Sequence, residues 1–127
     1  MNLEKVVFAF TIILALTLNF GFFVGEVDNP DHHHVFELYV AIFVNAVATI
    51  LKFGDRSHMG AVLLASSLVA DIQLVAAAAV WGYAVHVTGV GLTPSVMSSI
   101  VSLAGGALIA NVVSVALLVV ETVLLRR

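Results

Sequence analysis

The sequence predicts an all-α membrane protein, with four transmembrane helices in a single domain over residues 1–127 and both termini cytoplasmic. The expected assembly is a symmetric homo-oligomeric bundle. Three observations predict it. Of the 127 residues, 61% are apolar and 10% are charged, and the mean hydropathy is +1.14. Soluble domains run near about 45–50% and about 25% on the first two measures. The apolar residues also lie in four long blocks that fill almost the whole chain. Finally, the five basic residues, Lys5, Lys52, Arg56, Arg126 and Arg127, all fall on one side of a four-span arrangement. No length remains for a soluble domain, a nucleotide fold or a nucleic-acid surface. Zero cysteines exclude disulfides, thiolate metal sites and a cysteine nucleophile.

The spans follow in order at about residues 6–24, 35–52, 58–87 and 94–125. The first ends in Phe20-Gly21-Phe22-Phe23-Val24 without a small-residue cleavage site, so it reads as a retained helix and not a signal peptide. Gly25 and Gly54 suit left-handed helix ends, while Asn29-Pro30, Asp55 to Ser57 and Thr93-Pro94 offer capping side chains. The third and fourth spans are long. Taken from Met59 and Ser95 they reach roughly 44 and roughly 46 Å, against a hydrocarbon core of about 30 Å, so they must tilt, kink or protrude. Gly105-Gly106 is the expected weak point of the fourth, and Trp81 and Tyr83 are the expected interfacial aromatics of the third. Positive residues stay cytoplasmic, and the loops 25–34 and 88–94 carry none. That count also argues against an antiparallel dual-topology dimer.

Each span carries a strongly polar residue within its apolar run: Asn19, Asn45, Asp71 with Gln73, and Asn111. Such residues face protein or water and not lipid. The amides serve equally as interhelical glue. Asp71 is the sharper case, because it reads as having no basic partner inside the spans and must be protonated, hydrated or bound to a cation. Ser67 lies one turn before it, and Val75 and Ala79 continue that line in an alanine-rich helix. An ion pathway would therefore run by Asp71, Ser67, Gln73, Asn45, Asn111 and Asn19.

In the fourth span Ser98, Ser102, Gly106, Ala110 and Ser114 recur every four residues. Small residues on one stripe let two helices approach closely, so the stripe reads as a helix contact and, as an alternative, as a pore lining. Shorter versions occur at Thr11, Ala15 and Asn19, and at Ala41, Asn45 and Thr49.

The loop after the first span gathers Glu26, Asp28, Asp31, His32, His33, His34 and Glu37, with His86 at the same level. Imidazole and carboxylate ligands suit transition metals. His33 and Glu37, one turn apart, could share an ion, and a ring of subunits could complete the set. A solvated helix start with dipole-matched carboxylates and a pH-sensing role are the competing readings.

These features suggest an oligomeric cation channel or ion-conducting pore with an acidic, histidine-rich outer mouth. The alternative is a non-conducting accessory or assembly protein that binds a larger partner, sensing metal or pH through the histidines. The expected partners are the lipid bilayer, further copies of the chain and inorganic cations (sodium, potassium, calcium or zinc). No cofactor is required and no nucleic acid is expected. An enzyme is not expected either, because His86 lies roughly 28–30 Å along one helix from Ser66 and Ser67. Near Ser98 or Ser99 it would have no orienting acid.

The stretches Leu16-Thr17-Leu18-Asn19-Phe20-Gly21-Phe22-Phe23, Asp28-Asn29-Pro30-Asp31-His32-His33 and Lys52-Phe53-Gly54-Asp55-Arg56 resemble a bacterial family of small four-span inner-membrane proteins with no assigned function. The resemblance covers nearly the full length. It implies a multi-pass protein of the bacterial inner membrane and carries no chemistry over.

Overall fold

A computed structural model describes residues 3–53 and 58–125. The described chain is helical, with α1 over Leu3–Phe23, α2 over Val35–Lys52, α3 over His58–Gly82 and α4 over Pro94–Leu125. All four are long and apolar enough to cross a membrane. Gly54, Asp55 to Ser57, Arg56, Arg126 and Arg127, used above as punctuation and charge markers, lie outside the described residues.

Each helix packs on its two neighbours in a closed ring, α3 against α4 most extensively. Short connections make sequential helices antiparallel. One end of the bundle, here the terminal end, holds the start of α1, the end of α4 and the α2–α3 connection. The other, the loop end, holds the connections at 24–34 and 88–93.

Burial repeats at alternating steps of three and four. Ile12, Ala15, Asn19 and Phe22 are buried on α1, and Leu38, Ala41, Asn45, Ala48 and Lys52 on α2. On α3 the series is Gly60, Leu63, Ser67, Ala70, Leu74, Ala77 and Trp81, continued by Ala84 in the turn that follows. On α4 it is Met97, Ile100, Ala104, Ala107, Asn111 and Ser114. A mean step of 3.5 keeps one seam facing the partner helices, as in left-handed bundles. Small side chains dominate these seams, so the backbones approach closely and van der Waals contact carries the packing. The larger apolar side chains, such as Phe10, Phe36, Phe43, Ile72 and Ile109, point outward, where the lipid would lie.

Several punctuation marks hold. Gly25 adopts φ +109°, and a Cβ there would lie 2.7 Å from His32. Asn29 accepts a bond from the Asp31 N–H at 2.9 Å, opening a short 3-10 turn at Pro30–His32 before α2 starts. The Thr93 hydroxyl caps α4 by accepting from the Val96 N–H at 3.2 Å. Two expectations fail. α4 does not break at Gly105-Gly106; those glycines instead admit Phe23 and Gln73, whose atoms would stand 2.9 and 2.5 Å from an added Cβ. Trp81 is no interfacial aromatic, because it occupies a seam position and packs on Phe22 with ring centroids 6.3 Å apart. Tyr83 is the exposed one. The excess length of the third span ends in a wide π-helical turn, Tyr83–Val87, closed by the Thr88 N–H to the Tyr83 carbonyl at 2.9 Å.

Candidate functional site

The densest side-chain chemistry lies within the bundle toward its terminal end, where α2, α3 and α4 meet. Lys52, the last residue of α2, is only 3% exposed. It takes the next seam position after Ala48, so its stem runs into the bundle instead of out to solvent. Its ammonium donates to the Ser67 hydroxyl and, at 3.0 Å, to the Ser114 hydroxyl. Ser114 shares a 2.6 Å bond with Ser66, which donates back to the Leu63 carbonyl at 2.9 Å. Beside this set the Thr49 hydroxyl contacts the Asp71 carboxylate and lies 2.9 Å from the Asn45 carbonyl. Lys52 and Asp71 lie in the same cluster, with no hydrogen bond or ion pair joining them among the described residues.

The expectation that no basic residue lies inside the spans is corrected in part: Lys52, a charge of the cytoplasmic side by sequence, is buried at the end of α2 in this cluster. Asp71 itself stands just off the α3 seam. One oxygen meets Thr49, while the other has no partner among the described residues. With Ile72, Val75, Ala76 and Ala79 it lines a shallow groove on the outer side of α3. The expected line of Asp71, Val75 and Ala79 is therefore present, but Ser67 belongs to the interior.

The amides form a second group. Asn19 is fully buried, and neither its oxygen nor its nitrogen has a partner among the described residues. Gln73 Oε1 and Asn111 Nδ2 are likewise unpartnered. Asn45 donates to the Ala41 carbonyl of its own helix at 2.7 Å. These side chains sit on seams or against Gly106, where small neighbours leave little to bond with.

The small-residue stripe of α4 splits. Ser102 is exposed and Ser98 and Gly106 are half-buried, whereas Ala110 and Ser114 are buried. A strict four-residue step advances about 40° around a helix of 3.6 residues per turn, so the two ends of the stripe face directions roughly 160° apart. Its lower half serves contacts within this chain. Its upper half lines an open groove with Phe23, Val27 and Ile109.

At the loop end the histidines part company. His33 is buried, and both its ring nitrogens approach backbone carbonyl oxygens, Phe22 at 2.5 Å and Glu26 at 2.7 Å. Its nitrogens are therefore engaged and do not face Glu37, which lies instead against Gly21. His32 accepts from the Glu26 N–H at 2.8 Å. Asp31, His34 and His86 are exposed. Among the described residues no three histidine or carboxylate side chains converge on a point that could hold a metal ion.

A family model described as a family of unknown function, DUF6394, matches residues 32–122. The chain belongs to this family. The DUF6394 match takes in α2, α3 and most of α4, and with them Thr49, Lys52, Ser66, Ser67, Asp71 and Ser114. It begins at His32, beyond α1. No curated protein and no solved structure matches the chain.

Proposed function

We propose that this DUF6394 protein is an ion-conducting homo-oligomer of the bacterial inner membrane, with both termini cytoplasmic, in which Asp71 and its hydroxyl and ammonium neighbours form the ion site. One observation carries the reading. Asp71 is a carboxylate in mid-span, one oxygen of which is buried with no partner among the described residues, on a residue that borders an apolar groove on the outer side of α3. A carboxylate enclosed in this way at mid-depth is costly unless a cation, water or a neighbouring subunit completes its contacts. Neighbouring copies packed on α3 would cover it and gather one Asp71 from each subunit about the axis, where cations are held by rings of carboxylates. Conduction, not catalysis, is the activity in this reading, and inorganic cations are its substrates.

A second reading is favoured by Lys52. Because the chain supplies its own buried ammonium and the hydroxyls that accept from it, the cluster also suits a non-conducting accessory protein whose polar contacts fix its fold for a larger partner. Reconstitution into liposomes separates the two. Flux of sodium, potassium, calcium or protons that is altered in a well-assembled Asp71→Asn variant supports conduction. Absence of any flux moves the weight to the accessory role, and unchanged flux in that variant removes Asp71 from the pathway.

A further inference from the structure

The connection between α1 and α2 is gripped at a single residue. Glu26 donates its N–H to His32 Nδ1 at 2.8 Å, and its carbonyl faces His33 Nε2 at 2.7 Å as an acceptor. His33 Nδ1 reaches the Phe22 carbonyl at 2.5 Å, and the ring is 1% exposed. A carbonyl oxygen can only accept. Two carbonyls facing the two nitrogens of one imidazole therefore require two N–H donors, and only the imidazolium carries both. A neutral ring would set a nitrogen lone pair against one of these oxygens. The Phe22 carbonyl lies in the last turn of α1, where carbonyls lack helical partners and the helix dipole favours a cation. His32 has the opposite need, since a nitrogen that accepts from the Glu26 N–H cannot itself carry a proton.

We propose that His33 is a buried proton-binding site, occupied when the α1–α2 connection is closed, so that one bound proton latches this connection onto the end of α1. The neighbouring ionisable groups come from every side. Glu26, Asp28, Asp31, His32 and His34 lie on the connection, with the His32 ring centroid 6.4 Å from that of His33. Glu37 of α2 lies against Gly21, one residue from Phe22. Beyond α3, Tyr83 and His86 are exposed on the π-helical turn, and α4 has no ionisable side chain before Glu121. Loss of the second His33 proton removes one of its two bonds to carbonyl oxygens and weakens the latch.

The test uses the full chain in nanodiscs with 15N-labelled histidine, followed by NMR between about pH 5 and about pH 9. The His33 signals are identified by their loss in His33→Gln, and the His32 signals by their loss in His32→Gln. The expected result is a pH range in which both His33 nitrogens are protonated while His32 Nδ1 is bare. Hydrogen exchange of the connection, corrected for intrinsic rates, should then rise at least about tenfold from mid to high pH, as loss of one charge-assisted bond implies. In His33→Gln it should be fast throughout that upper range. A neutral His33 in the closed connection, or exchange unchanged as pH rises, overturns the proposal. If His33→Gln fails to fold, the His33 signals are those retained in each of the single Gln variants of His32, His34, His58 and His86, and the wild-type spectra decide.

Discussion

The polar groups toward the terminal end and the amides elsewhere in the bundle are buried to similar degrees, yet they are built by opposite rules. Lys52, Ser66, Ser67 and Ser114 bond to one another or to backbone across three helices, with Thr49 and Asp71 beside them. Asn19, Gln73 and Asn111 keep polar atoms with no partner among the described residues. The first group behaves as one unit, so removing a member strands the others. The second consists of separate side chains, each bearing its own desolvation cost. The difference teaches that a polar residue in a membrane helix is not informative by depth alone. What matters is whether a seam position brings it to another polar seam position.

The strongest way to break this comparison is Lys52→Met. It leaves Asp71 without the buried ammonium of its cluster and should destabilise the protein by about 3–5 kcal/mol. Unfolding in mixed micelles would measure this, and the double variant with Asp71→Asn should recover most of the loss. An equal loss in the double variant would mean that the two charges are not coupled. Next in size is Gly106→Leu. The side chain would enter the space held by the Gln73 amide and should cost about 1–3 kcal/mol by overpacking, visible as a lowered unfolding midpoint of the isolated chain. If only the oligomer size changes, Gly106 acts between chains and not within one.

Ser114→Ala removes one of the two acceptors of Lys52 and the side-chain partner of Ser66 together and should cost about 1–2 kcal/mol in the same assay. Asn19→Leu sharpens the contrast at the smallest magnitude. Replacing an unpartnered amide with an apolar side chain of similar volume should leave stability unchanged or raise it by about 1 kcal/mol. A loss larger than that for Ser114→Ala would show that Asn19 is held by a bound water or partner, and the division between the two groups would fall.

The four spans were legible because lipid-facing length and composition suffice to mark them, and Asn29-Pro30 and Thr93-Pro94 carried their own capping chemistry. Asp71, Ser67 and Ser114 were also legible as residues. Their partnership was not. Reading lines at a fixed step of four drifts off the contact surface, which made Ser98 and Ser102 look equivalent to Ser114 and tied Ser67 to Asp71 instead of to Lys52. The alternation of three and four in Leu38, Ala41, Asn45 and Ala48 points to Lys52 as the next inward position. That signal is masked when the basic residues are used only to set the cytoplasmic side. Nothing in the sequence marks a backbone carbonyl as a partner, so the two bonds of His33 could be found only in three dimensions.

The lysine–serine contact also sets where α3 can stop along its own axis. One turn before Ser67 the seam residue is Leu63, whose side chain cannot accept a hydrogen bond, whereas one turn after it lie Ala70 and Asp71. A slide of one turn, about 5.4 Å, would preserve much of the apolar packing, because one small or branched seam residue resembles the next. In one direction it would set Leu63 hydrocarbon opposite the Lys52 ammonium, and in the other it would bring the Asp71 carboxylate toward it. The helix therefore has many nearly equivalent apolar registers, an electrostatic stop on one side and an acceptor waiting on the other, which leaves piston travel one permitted direction.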